Sequence, residues 1–133
     1  MAKAMEQACD NNNIGYDQGT QGNASDRVSL YNALRKVGFD MSKVNVKCET
    51  DCSNLVACCA NCAGVSISPD IYTGNEESAF KQTGLFEFHK ESKYLTSDAY
   101  LPRGAVLLYP GHHTAINLTE HGNFKQGWEG NYY

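Results

Sequence analysis

Apolar positions recur at helical spacing through the first half of this chain and alternate with polar ones in much of the second. Ala4, Met5 and Ala8 fall on one side of a short helix over residues 1–12. Gly15 to Asn23, rich in Gly, Gln and Asn, reads as a loop. Val28, Tyr31, Ala33, Leu34 and Val37 then follow a helical period, with Arg35 and Lys36 in the last turn and Gly38 beyond as a stop. Asp40 to Lys47 reads as extended. Asp51 is the expected N-cap of a second long helix whose buried face carries Leu55, Val56, Cys59, Cys62 and Ala63, ending at Gly64. Asn75 is expected to cap a third short helix, Glu76 to Gln82, stopped by Gly84. After Gly84 the period becomes two, at Phe86 and Phe88. Ala105 to Tyr109 is a continuous apolar run, and His113 to Leu118 alternates. Gly122-Asn123 offers a tight turn, and Phe124 to Trp128 a returning strand. The pattern predicts an α+β domain, with N-terminal helices packed on a C-terminal antiparallel β-sheet.

The 133 residues suit one domain spanning residues 1–133. With 41% hydrophobic residues, 20% charged residues and a net charge of −4, the composition is globular and soluble. No cluster of Lys and Arg is large enough to neutralise a run of phosphates, so nucleic acid is not the expected partner. No apolar stretch approaches the length of a membrane span, and Met1 to Asn13 lacks the apolar core of a signal peptide. Of the 6 cysteines, all but Cys9 lie between Cys48 and Cys62. Crowding into one helix favours reduced thiols packed as small hydrophobes over disulfides. A zinc reading rests on Cys48-x3-Cys52 and Cys59-x2-Cys62. A zinc knuckle wants a turn between its paired cysteines, where this chain predicts continuous helix.

Cys52 differs from the other cysteines because it falls at a helix N-terminus. Free backbone N–H groups there favour a thiolate and can supply a donor to an oxyanion. Asp51 beside it opposes this unless its side chain turns away to cap. His113 opens an alternating strand just after the Pro110-Gly111 bend, which projects a side chain from a sheet edge, and His112 points to the opposite face. On spacing alone, a buried structural thiol and a structural histidine remain open readings.

Several motifs, taken in order, add to this. They are Gly15-Tyr16-Asp17-Gln18, Asp51-Cys52-Ser53-Asn54-Leu55-Val56, Tyr72-Thr73-Gly74-Asn75 and Tyr94-Leu95-Thr96-Ser97-Asp98. Leu101-Pro102-Arg103-Gly104-Ala105-Val106-Leu107-Leu108 and His112-His113-Thr114-Ala115-Ile116 follow. From about Gly15 to Gly127 the chain resembles the catalytic domain of bacteriophage and prophage endolysins. The specific group it resembles is the NlpC-type (CHAP-like) papain-fold peptidoglycan hydrolases. That resemblance implies Cys52 as nucleophile and His113 as general base. It implies a polar third residue on the next strand, which a one-residue gap near Thr119 places at Gln126. Asn117 is a poor alternative, because four residues along one strand is about 13 Å. Tyr16 resembles a tyrosine lining the cleft near the thiol. Asp51 and Ser53 flank the nucleophile where substrate amine and carboxylate groups are read, and His112 is a further substrate-side candidate. Packing for Tyr16 and capping for Asp51 and Ser53 are the structural alternatives.

The implied activity is hydrolysis of a stem-peptide amide in peptidoglycan, without metal or organic cofactor. The γ-D-glutamyl to diamino-acid bond is the expected one, with the N-acetylmuramoyl–L-alanine amide as the alternative. A monomer is expected, held in the host bacterial cytoplasm until a holin releases it to the wall. An interbacterial effector, a zinc-stabilised binding module using His112 or His113, and a wall-binding relic without turnover are the competing readings. Two features depart from the relatives. Arg103-Gly104-Ala105 stands where they often have Arg-Gly-Asp, and the chain stops at Tyr133, where a wall-binding module often follows.

Overall fold

The computed structural model describes residues 1–17 and 26–120. Its elements run α1 (Ala2–Asp10), β1 (Ile14–Tyr16), α2 (Ser29–Lys36), β2 (Cys48–Thr50), α3 (Cys52–Cys62), α4 (Glu76–Thr83), α5 (Ser92–Leu95), β3 (Val106–Tyr109) and β4 (His113–Ile116). The layout is α+β, as expected. The strands among the described residues form two separate pairs.

The central element is α3. Val56, Ala57, Cys58, Cys59 and Ala60 on it are all fully buried, and α1, α2 and β4 pack around it. From α1 come Ala4, Met5 and Ala8, and from α2 come Leu30, Ala33 and Leu34. Small side chains along α3 let these neighbours approach closely. Two rows of apolar residues at helical spacing therefore become one core. Ile116 of β4 closes the core from the sheet side.

β3 and β4 form an antiparallel hairpin, with Val106 opposite Ile116 and Tyr109 opposite His113. Its turn passes through Gly111, whose positive φ of 79° a residue with a side chain would resist. Past the strands, Asn117 N–H donates to the Ala105 carbonyl at 2.9 Å. Arg103 anchors the hairpin to the helices, donating to the Leu118 carbonyl at 2.6 Å and pairing with Glu6 of α1. A basic residue thus braces the segment that leads into the hairpin.

Three expectations are corrected. Gly15 and Tyr16, expected to open a loop, instead belong to strand β1, which pairs in parallel with β2 and places Ile14 opposite Cys48 and Tyr16 opposite Thr50. Strands of three residues carry too little pattern to be read, and the connection through α2 supplies the crossover a parallel pair needs. Asp40 to Lys47 is not uniformly extended. Met41–Lys43 forms a 3-10 turn, started by Asp40 accepting from Ser42 N–H at 3.1 Å and Ser42 Oγ at 2.6 Å. Phe86 and Phe88 do not form a strand. Phe86 packs edge-on to Phe80 of α4, with ring centroids 4.6 Å apart, while Phe88 lies under Lys81 Nζ. Their alternation reflects two separate side-chain contacts rather than a ladder. The turn expected at Gly122-Asn123 and the strand expected from Phe124 to Trp128 lie outside the described residues.

Candidate active site

The start of α3 is held by a closed set of polar contacts. Asp51 is its N-cap, with Oδ1 accepting from Asn54 N–H at 2.8 Å and Oδ2 accepting from Arg27 Nε at 2.7 Å. Arg27 Nη2 also donates to the Ile71 carbonyl at 2.7 Å, and Ser53 Oγ donates to the same carbonyl at 3.1 Å. Asn54 Nδ2 donates to the Pro69 carbonyl. The segment 69–71, Arg27 and the first turn of α3 are thereby tied together. Asp51 does turn away to cap, and its charge is answered by a guanidinium. Ser53 is buried and engaged with backbone, whereas Cys52 stays half-buried at the helix mouth.

The cysteines deeper in the chain have a different environment. Burial pushes the Cys59 thiol up to about 12 and the Cys58 thiol still higher, with neighbouring thiols adding to each. Burial also raises Cys48 and Cys62. All six are free thiols. Among the described residues, no three cysteine and histidine side chains converge on a common point. The one such grouping among the described residues is carboxylate, where oxygens of Asp17, Asp26 and Glu49 lie within 4.8 Å of one another. Burial raises the Glu49 carboxyl, and Asp17 and Asp26 add to the rise. Sequence reasoning missed this cluster because it forms only when β1 pairs with β2.

His113 is the first residue of β4 and is exposed, while Thr114 and Ile116 turn inward. His112 lies in the turn before it, its ring stacked on Tyr109 with centroids 4.1 Å apart and planes at 14°. Tyr16 sits opposite Thr50, two residues before Cys52, and is 56% exposed. It therefore stands beside the mouth of α3. α3 packs directly on β4, and so brings together the elements bearing Cys52 and His113. Among the described residues no hydrogen bond joins Cys52 to His112 or His113. Gln126 lies outside the described residues.

Glu76 is the residue of this region that the sequence pattern did not flag. It opens α4, where a glutamate is usually solvated, yet it is 1% exposed and accepts from Thr114 Oγ1 at 2.8 Å. Burial pushes its carboxyl up to about 7, the Thr114 hydroxyl pulls it partway back, and the Asp51 charge adds to the rise. Glu76 thus lies between the cap of α3 and the strand that begins at His113.

A family model described as an endolysin-like domain matches residues 1–124. The chain belongs to the endolysin-like domain family. No curated protein and no solved structure matches it. The matched region of this endolysin-like domain contains Cys52, Glu76 and His113 and ends before Gln126. Among its described residues, no helix is long and apolar enough to cross a membrane.

Proposed function

We propose that this endolysin-like domain is a peptidoglycan hydrolase of the papain-like NlpC/CHAP type, cutting a stem-peptide amide with Cys52 and His113. One observation carries the reading: Cys52 is half-buried at the mouth of α3, and that helix packs on the strand that begins at His113. Membership of the endolysin-like family supplies the substrate class.

The chemistry runs in two steps. Cys52 thiolate attacks the amide carbonyl carbon, forming a C–S bond and placing the electron pair on oxygen. The cap uses Asn54 N–H; the N–H groups of Cys52 and Ser53, which have no intrahelical acceptor, are the proposed donors to that oxyanion. On collapse the C–N bond breaks, and the protonated His113 hands its proton to the leaving amine. Water then attacks the thioester, His113 takes its proton, and a carboxylate and the free thiol result. Gln126 is the proposed acceptor for the second imidazole N–H. Tyr16 lines the approach to the thiol, and His112 stacked on Tyr109 borders the strand side. The γ-D-glutamyl to diamino-acid link is the proposed bond. The enzyme acts at the wall after holin-dependent release from the host cytoplasm.

The test is digestion of purified cell walls by wild type, C52A and H113A, with mass spectrometry of the soluble fragments. New amine and carboxylate termini made by wild type alone would support the reading and identify the bond. Equal fragment release by C52A would remove Cys52 as nucleophile. Intact walls with folded, reduced wild type would remove the hydrolase reading.

A further inference from the structure

The buried carboxyl of Glu76 has no role in the two steps above. At the first position of a helix a carboxylate normally sits in water beside free N–H groups. Here Oε1 accepts from Thr114 Oγ1 at 2.8 Å, and Oε2 is buried with no hydrogen-bond partner among the described residues. Thr114 is itself only 3% exposed. A half-satisfied buried carboxyl is costly, and an apolar side chain would fill the same volume without that cost. The charged groups around it are few. Asp51 acts on it from the start of α3 and is paired with Arg27, while Glu77 on α4 is paired with Lys81 and Lys90.

We propose that Glu76 is a positioning residue for His113, acting through the Thr114 hydroxyl. Adjacent residues on a strand point to opposite faces, and a slip of one residue exchanges the faces. By holding the Thr114 side chain, Glu76 fixes the register at the start of β4 and with it the backbone position from which His113 projects. The hairpin of β3 and β4 is short, and its apolar pattern alone pins that choice weakly. The same carboxyl also senses Asp51, so one group reports on both the cap at Cys52 and the strand at His113. Its rise to about 7 means that both protonation states are populated near neutrality, and Oε1 can accept from Thr114 in either. The inference rests on His113 serving as the base of the proposed hydrolysis.

The experiment follows the backbone amides of His113, Thr114 and Ala115 by NMR through neutral pH in wild type, E76Q, T114V and T114S. On the same samples it measures the maximal rate of fragment release from purified walls, and the wall concentration giving half that rate. In wild type the three amides share an inflection near pH 7. E76Q abolishes it. T114V moves it upward, because the hydroxyl that favours the ionised carboxyl is gone, and T114S keeps it. T114V loses roughly 10-fold or more in maximal rate with the half-saturating concentration unchanged, and T114S restores the rate. Folded E76Q and T114V that lose stability but keep the maximal rate would overturn the proposal. So would amides without the inflection in a wild type that cuts walls. If wild type leaves walls intact while the inflection follows Glu76, the hydrolase reading fails and the coupling of Glu76 to the His113 strand stands.

Discussion

Glu76 ties stability to pH at a single residue. Its carboxyl rises from an ordinary 4.5 to about 7 in the folded chain, chiefly because burial disfavours the charge. An acid with a raised folded value binds its proton more tightly in the native state. Its contribution is therefore complete below about pH 4.5, falls as pH climbs toward 7, and is lost above that. The shift corresponds to about 3 kcal/mol across this window. Wild type compared with E76Q by urea unfolding should thus lose about that much relative stability between acid and mildly alkaline pH. A difference between the two proteins that stays constant with pH would show that the Glu76 carboxyl does not titrate in the folded state as its burial requires. A second residue-scale effect opposes the first. Removing the hydroxyl with T114V leaves Glu76 buried without the one donor it has among the described residues, so T114V should be less stable than T114S by about 1 to 3 kcal/mol at neutral pH.

At the scale of elements, the first turn of α3 depends on a residue that is remote in sequence. Arg27 joins the Asp51 cap to the Ile71 carbonyl, and the Arg27 and Asp51 side chains are only 19% and 12% exposed. Removing the guanidinium leaves a largely buried carboxylate unanswered beside Cys52. R27M should therefore cost about 2 to 3 kcal/mol in urea unfolding, and the R27M/D51N double variant should recover part of it. Additive losses would show that the two side chains do not act as a pair. The cap itself was legible from sequence, because Asp51 followed by an apolar helical period is a local signal, and so was the stop of α4 at Gly84. Arg27 was not legible, since nothing local links it to a residue on another element. The β1–β2 pair escaped for a related reason: parallel pairing is a long-range contact made here by two strands of three residues. Glu76 escaped because a glutamate in a first helical turn matches the rule for exposed ones, and only tertiary packing buries it. Cys52 and His113 stood out through their places at a helix start and a strand start. The structure adds that these two elements pack together.

On the scale of the whole molecule, α3 divides the thiols into two populations. Cys9 is exposed and Cys52 and Cys62 are half-buried, whereas Cys48, Cys58 and Cys59 lie in the core shared with α1, α2 and β4. For Cys59, pushed up to about 12, roughly one molecule in ten thousand would carry a thiolate at pH 8 even if the site were open. Burial and chemistry therefore act in the same direction. Native iodoacetamide labelling followed by peptide mass spectrometry should modify Cys9 and Cys52 first and Cys62 later. Cys58 and Cys59 should react only as fast as the core opens, and all six should become alike in urea. Because α3 touches both halves of the fold, a core mutation such as V56A should accelerate labelling of Cys58 and Cys59 together while leaving Cys9 unchanged. Rapid native labelling of Cys58 or Cys59 would mean that the inner face of α3 is open, contrary to the packing described. Repeating the labelling with one equivalent of zinc tests the competing reading of the cysteine cluster. The sulfurs do not converge, so zinc should protect none of them. Protection of Cys48, Cys52, Cys59 and Cys62 as a set would reverse that conclusion, because four thiols become unreactive together when they share an ion.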